Sequence, residues 1–221
     1  MQREIASLGA GALKLVAAAG ILVGLIATFQ AAYQLSEYSA VVMSAKAVGW
    51  FAAREVGPLV AALLVVARSS SAIAGEFASM SANAELDALR AMGLDPIKYL
   101  VAPKLAALLI SMPILTVVAD VLILFGGWLG NTGFLGYSTA FFLEQIRETL
   151  EIRDIAIGLG KSLLFAFVLV IVAADEGLSV GRRVSEIGSA ATRAVVFGLI
   201  GVLAADTVVN AIFYFIPGLV G

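Results

Sequence analysis

The chain has 221 residues, of which 61% are hydrophobic and 14% are charged, whereas soluble globular domains are about 45–50% apolar and about 25% charged. A soluble protein of this size has too little interior to bury so much apolar surface, so the composition indicates an integral membrane protein. The chain contains no Cys and no His, which excludes disulfides, thiolate chemistry, Cys/His zinc sites and histidine general bases. The net charge of −2 and the lack of a long basic run give no support to a nucleic-acid partner.

Five runs of mostly apolar residues are each long enough to cross a bilayer, which takes about 20 residues. They predict spans at about 15–35, 56–80, 105–129, 155–174 and 194–216. The runs are continuous rather than alternating, which favours helices over the strands of a β-barrel. We therefore predict an all-α, polytopic fold in which residues 1–221 form a single transmembrane domain. An uncleaved first helix is favoured over a signal peptide, because its apolar run is longer than an h-region.

The lysines and arginines of the loops predict the orientation of the chain in the membrane. Eight of them lie on the side of the N-terminus and of the loops at 81–104 and 177–193, and four lie on the other side. The positive-inside rule then places the N-terminus in the cytoplasm, and five spans place the C-terminus outside.

A short helix is predicted at about 83–92, in the first of these cytoplasmic loops. Asn83 is placed to cap its start, and Gly93 fits the position just after its end. Its apolar side chains form one narrow stripe, made of Leu86, Leu89 and Met92. Because the helix is too short to span a membrane, the stripe must lie against the protein itself, the membrane surface or a groove in a partner.

Ionisable residues within membrane spans are costly and are functional candidates by default. We single out Arg68, Glu76, Asp120, Lys161 and Asp206 as candidates for a transport pathway or gate. For Arg68 two interpretations stay open: structural pairing with Asp120 or Asp206, and contact with a lipid headgroup through its planar guanidinium. For the two aspartates, pairing between helices is favoured over a proton relay. Lys161 lies near a membrane end, where a lysine can snorkel towards headgroups.

Two further patterns carry less weight. Gly160-Lys161-Ser162 resembles the end of a P-loop, but Ile155 stands where that motif requires glycine. We therefore predict that this chain binds no nucleotide. We also predict that it has no catalytic residues and binds no other cofactor and no metal. Gly20-x-x-x-Gly24 and Gly126-x-x-x-Gly130 have the spacing of close helix approach, but in a chain with 22 glycines they are weak evidence for a dimer.

The most specific pattern is a block that begins with Arg54-Glu-Val-Gly-Pro58 and extends through the second span and the loop after it. The segments that carry it are 54–80, 85–103, 112–120, 126–127, 161–162 and 191–193. They resemble the MlaE-type permeases, which are the membrane subunits of ABC transporters that work with MCE proteins in lipid traffic. The likeness covers about residues 15–215.

The resemblance implies a permease subunit, rather than an enzyme, that moves phospholipid or a related lipid between membranes. It implies a homodimer in the bacterial inner membrane, with its C-terminus in the periplasm. The implied partners are separate cytoplasmic ATPase subunits, which bind ATP and Mg, and a periplasmic MCE-domain protein. It also identifies the short cytoplasmic helix as the coupling helix that docks on the ATPase, through Glu85, Leu86, Leu89, Arg90 and Met92.

The alternative from a different class is a stand-alone secondary transporter or channel that uses Arg68, Asp120 and Asp206. Such a carrier does not need a cytoplasmic helix with clearly marked ends.

Overall fold

A computed structural model of the chain describes residues 12–37, 40 and 43–215. In this part of the chain every regular element is a helix. The helices are α1 (Leu13–Ser36), α2 (Ser44–Ala82), α3 (Glu85–Ala91), α4 (Ile97–Gly133), α5 (Thr139–Thr149), α6 (Ile152–Leu178) and α7 (Val184–Phe215). Five of them, α1, α2, α4, α6 and α7, are long and apolar enough to cross a membrane. The predicted all-α, polytopic fold is confirmed; residue 216, the end of the predicted fifth span, lies outside the described residues.

The helices extend beyond the apolar runs that predicted them. α2 begins at Ser44 and α4 at Ile97, whereas the predicted spans began at 56 and 105. Hydropathy identifies only the part of a helix that lies in hydrocarbon, and both of these helices start in more polar sequence, with Lys46 in α2 and Lys98 in α4. These two helices therefore begin before the predicted spans, in the polar sequence that precedes each apolar run.

Two segments of α2, Ala52–Val56 and Val66–Ser70, are π-helical. A π turn accommodates one extra residue and is found frequently at functional sites. At the end of the first segment, the Gly57 N–H donates to the carbonyl oxygen five residues earlier. Pro58 follows and has no N–H to donate, so the regular ladder of the helix cannot continue through it. The sequence thus fixes the position of this irregular turn.

The chain forms two compact units. The first, which we call the α1 unit, consists of Leu13–Ala61 and Pro113–Ser162. The second, the α7 unit, takes in 62–112 and the described residues from 163 onwards.

In the α1 unit, glycines bring α1 and α4 into backbone contact. A Cβ at Gly24 would overlap the carbonyl oxygen of Ile123, and a Cβ at Gly126 would overlap that of Ile21. Gly130 lies against the Thr28 side chain of α1, where a Cβ would come within 2.8 Å of the Thr28 Cβ. The two Gly-x-x-x-Gly motifs therefore pack on each other within one chain.

In the α7 unit, the core lies between the second half of α2 and helices α6 and α7. Its largest fully buried side chains include Ile73, Phe77, Phe165 and Leu169. Gly177 on α6 lies against the Phe77 Cβ, where a larger residue would collide. The absence of a side chain at this position allows α6 to approach α2.

The predicted cytoplasmic helix is present as α3, with one of its two predicted ends. Gly93 follows it with a φ of +76°, and the Leu94 N–H donates to the Leu89 carbonyl oxygen at 3.0 Å, which confirms the glycine stop. The predicted Asn83 cap is wrong. Because α2 continues to residue 82, Asn83 belongs to the end of α2, and Ala84 turns the chain with a φ of +59°.

Candidate functional site

Two ion pairs connect α2 to α6 in the α1 unit. Arg54 Nη1 lies 3.6 Å from Asp154 Oδ1, and Lys161 Nζ lies 2.5 Å from Glu55 Oε2. The Lys161 side chain is only 1% exposed. Its ammonium group thus points to Glu55, a partly buried partner that hydropathy did not identify.

The π turn of α2 and a glycine of α6 make this arrangement possible. Arg54 and Glu55 are consecutive residues, and both lie in the widened turn Ala52–Val56. A Cβ at Gly158 would overlap the Ala53 carbonyl oxygen, so the two backbones touch between the ion pairs. The sequence showed opposite charges in α2 and α6. No sequence pattern indicated that these two helices lie next to each other.

Asp120 lies on α4 against Gly57 of α2. Asp120 is 8% exposed, and its Oδ1 has no hydrogen-bond partner among the described residues. A Cβ at Gly57 would overlap this oxygen. One turn earlier on α4, Thr116 is fully buried and its hydroxyl has no hydrogen-bond partner in the described structure either. This carboxyl oxygen is therefore closely packed against the α2 backbone without a hydrogen bond from the described residues.

An open apolar cavity of about 320 Å³ lies between α1 and the start of α2. Its lining residues are Ala27, Gln30, Ala31, Gln34, Ala47, Val48, Trp50 and Phe51. Small side chains and two aromatic rings form an almost wholly apolar wall, and the two glutamines among the lining residues are exposed. The Trp50 ring also lies 5.4 Å from the Arg54 guanidinium carbon, which places the cavity next to the ion pair of Arg54. Such a lining suits a flexible apolar ligand with a polar end.

The other predicted pathway residues lie in the α7 unit. Arg68 is exposed and sits in the second π segment of α2. Glu76 pairs with Lys104 of α4 at 2.7 Å. Asp206 is buried, and its Oδ2 accepts a hydrogen bond from Asn210 Nδ2 at 3.3 Å. Sequence reasoning named neither Lys104 nor Asn210 as a partner.

The apolar stripe of α3 is divided between the inside and the outside of the protein. Leu86 and Leu89 are buried within the chain, whereas Met92 is 66% exposed. The first two residues therefore pack on the protein itself, which was one of the three predicted alternatives.

The exposed face of α3 carries charges. Glu85 is exposed, and Asp87 accepts from Arg90 at 3.4 Å and from Arg182 at 3.1 Å. Arg182 belongs to the loop between α6 and α7, so Asp87 connects the two cytoplasmic segments predicted from the charge distribution.

The chain is similar in sequence to a known family of membrane proteins. The family model described as Permease MlaE matches residues 1–212. A probable ABC transporter permease protein of Rickettsia felis is 32% identical over 212 residues, which are 96% of this chain and 82% of the relative. The intermembrane phospholipid transport system permease protein MlaE of Haemophilus influenzae is 29% identical over 213 residues, which are 96% of this chain and 82% of that protein.

A more distant relative comes from a plant. The Arabidopsis thaliana protein TRIGALACTOSYLDIACYLGLYCEROL 1, chloroplastic, is 28% identical over 161 residues, which are 73% of this chain and 46% of the plant protein.

These matches agree with the fold and with the sequence block in α2, α3 and the first part of α4. The bacterial relatives are named as permeases, which makes this multi-pass membrane protein a transport subunit rather than an enzyme. The chain belongs to the MlaE family of ABC transporter permeases.

Proposed function

We propose that this chain is the membrane subunit of an ABC transporter that moves phospholipid between membranes. The observation that carries the proposal is the apolar cavity between α1 and α2, whose volume of about 320 Å³ is at the lower end of the range for ligand sites, about 300–1,000 Å³. The name of the Haemophilus relative, an intermembrane phospholipid transport permease, supports phospholipid as the substrate class.

The lining of the cavity matches the two parts of such a lipid. Ala27, Ala31 and Ala47 leave room for an acyl chain, which gains free energy by contact with apolar walls that exclude water. Gln30 and Gln34 supply amide groups that can donate to ester or phosphate oxygens. The lipid would therefore bind with its chain against α1 and α2 and its polar end beside the glutamines.

ATP hydrolysis is assigned to separate cytoplasmic ATPase subunits, which hold the ATP and Mg. Their docking site on this chain is α3 and the turn after it, where Arg90, Met92 and Leu94 are exposed. Because Leu86 and Leu89 pack α3 onto the rest of the protein, a movement of the ATPase at the exposed end of α3 would also move the membrane helices.

The proposed assembly contains two copies of this chain in the bacterial inner membrane, with the N-terminus in the cytoplasm and the C-terminus in the periplasm. An MCE-domain protein is the proposed periplasmic partner. Helices α1 and α7 bury only 28% and 17% of their most apolar stretches within the chain. Their free faces are available to a second copy or to lipid.

Filling the cavity tests the proposal. Ala31→Trp should lower the amount of phospholipid that co-purifies with the protein and the ATP-dependent transfer of lipid by the reconstituted complex, because the indole would occupy the space of the acyl chain. Leu143→Trp is the matched control, since Leu143 is an exposed residue of α5 and is not among the residues that line the cavity. Mass spectrometry of bound lipid and a transfer assay between vesicles give the two measurements.

Unchanged lipid binding and transfer in Ala31→Trp would contradict the cavity as the binding site. Lipid transfer by this chain without any ATPase subunit would favour the alternative of a stand-alone transporter.

A further inference from the structure

Three buried polar side chains connect α1, α2 and α4 behind the apolar cavity. Ser44 Oγ donates to Asn131 Oδ1 at 2.9 Å. Asn131 Nδ2 donates to the Gly127 carbonyl oxygen at 3.0 Å and to Thr28 Oγ1 at 3.4 Å. The Thr28 hydroxyl in turn lies 3.0 Å from the Gly24 carbonyl oxygen. Asn131 is 1% exposed, and Ser44 and Thr28 are fully buried.

The Asn131 amide uses both its oxygen and its nitrogen in this network. Its side chain is uncharged and inaccessible to a ligand in the cavity, so it has no direct role in binding. Buried polar groups in a membrane are costly unless each finds a partner. A satisfied amide that contacts two other helices is therefore suited to hold those helices at a fixed separation.

The two helices that Asn131 holds are the walls of the cavity. On α1, Ala27 and Ala31 lie next to Thr28 and one turn after it. On α2, Ala47 and Val48 follow Ser44 by about one turn. A shift of either polar contact would move the corresponding wall.

Helices α2 and α4 are closely packed where Val48 faces Gly127. A Cβ at Gly127 would lie 2.8 Å from Val48 Cγ1, which is closer than carbon atoms pack. Val48 therefore packs directly on the α4 backbone at Gly127. The hydrogen bond of Ser44 holds the start of α2 on Asn131, and the absence of a side chain at Gly127 allows α2 to approach α4 closely.

We propose that Asn131 is a positioning residue for the cavity: it fixes the separation of α1 and α2 and thereby determines which acyl chains fit between them. This inference rests on the proposed function, since it takes the cavity to be the lipid site.

The test combines a distance with a lipid profile. The chain has no Cys, so spin labels can be attached to single cysteines introduced at Tyr33 on α1 and Met43 just before α2, both of which are exposed. Asn131→Ala should shift or broaden the distance between the labels. It should also lower the amount of co-purified phospholipid, because the walls of the cavity lose their fixed separation, and it should change the distribution of acyl-chain lengths that remain bound.

Two further variants make the test specific. Ser44→Ala removes one contact of the network and should give a smaller change in the same direction, which keeps the inference testable if Asn131→Ala does not fold. Thr132→Ala is the matched control, because the Thr132 hydroxyl donates within α4, to the Trp128 carbonyl oxygen at 2.7 Å, and has no part in the Asn131 network among the described residues. It should change neither the distance nor the lipid profile.

The possible outcomes are distinct. A folded Asn131→Ala protein with an unchanged distance, or with a changed distance and an unchanged lipid profile, would overturn the positioning role. If wild-type protein carries no phospholipid, the proposed function fails, whereas a lipid-loaded wild type with unaffected variants refutes only the role of Asn131.

Discussion

At the scale of single residues, glycines determine how closely the helices of the α1 unit pack. The Gly24 Cα lies against the Ile123 carbonyl oxygen, and backbone atoms cannot move aside as the end of a flexible side chain can. We expect Gly24→Ala to destabilise the protein by about 2–3 kcal/mol, the upper part of the usual range for overpacking. Thermal unfolding of the purified protein in detergent measures the effect.

Gly160→Ala is the control for this prediction, because no atom lies within 4 Å of a Cβ built at that position. It should leave the unfolding temperature unchanged or raise it slightly, since alanine is the better helix former. Equal losses in both variants would show that the close approach of α1 and α4 is not the cause.

The ion pair between the buried Lys161 and the partly buried Glu55 leads to a second prediction at this scale. Lys161→Met should destabilise the protein by about 1–3 kcal/mol, because the Glu55 carboxylate loses its charge-assisted hydrogen bond from the ammonium group. Adding Glu55→Gln should recover part of that loss, since the charge that lost this contact is then removed. The free energy of unfolding of the two single variants and the double variant forms the required cycle.

This cycle also separates a structural role from a functional one. A double variant that regains stability but not lipid transfer would indicate that the charges act in transport. Additive losses in stability would contradict the direct pairing of the two side chains.

At the scale of elements, α3 carries the prediction that concerns the ATPase. Met92 is exposed at the end of α3 whereas Leu89 is buried within the chain. Met92→Asp should therefore remove the ATPase from the purified complex and leave the stability of the permease unchanged, because a desolvated, unpaired carboxylate disrupts a docked surface. Co-purification with the tagged permease and thermal unfolding give the two readouts.

Leu89→Asp serves as the contrasting variant. It places a charge in the contact of α3 with its own protein, so it should lower stability before it affects docking. An ATPase that co-elutes at normal stoichiometry with Met92→Asp would exclude the end of α3 from the docking site.

Most of the helices could be predicted from the sequence alone. Long apolar runs identified every described membrane helix, because the need to satisfy the backbone inside lipid leaves a helix as the only option for such a run. Helix α5 was not predicted, since its residues are only partly apolar, although Ser138 gave a usable signal: its Oγ accepts from the Phe141 N–H at 3.2 Å.

Side-chain partners were much harder to predict than elements. Lys161 and Asp120 were singled out as charges within spans, but their surroundings depend on which helices become neighbours. Glu55 lies 106 residues before Lys161, and no periodic pattern relates two positions so far apart. The glycine that accommodates Asp120, Gly57, could be recognised only once α2 and α4 were seen together.

At the scale of the whole molecule, the predicted orientation can be tested by labelling. Ser185, in the first turn of α7, and Glu144 on α5 are both exposed, so a cysteine introduced at either position should be accessible to a thiol reagent. The predicted orientation places the two positions on opposite sides of the membrane. Ser185 should react only from the cytoplasm and Glu144 only from the periplasm. A membrane-impermeant thiol reagent, applied to intact and to opened cells, measures this.

The native chain supplies the background control, since it contains no Cys to react. Labelling of both positions from the same side would refute the five-span topology.

The π segments of α2 have a consequence for how the length of this helix can vary. Removing one residue from Ala52–Val56 would convert that turn into regular α-helix and leave the later side chains facing nearly the same way. Removing one at Ala61 would instead rotate everything after it by about 100°, which would expose Phe77 and turn Arg68 to another face. Alignments of this family should therefore place single-residue gaps in α2 at 52–56 or 66–70, and a relative with such a gap should have a straight α-helical turn at that point.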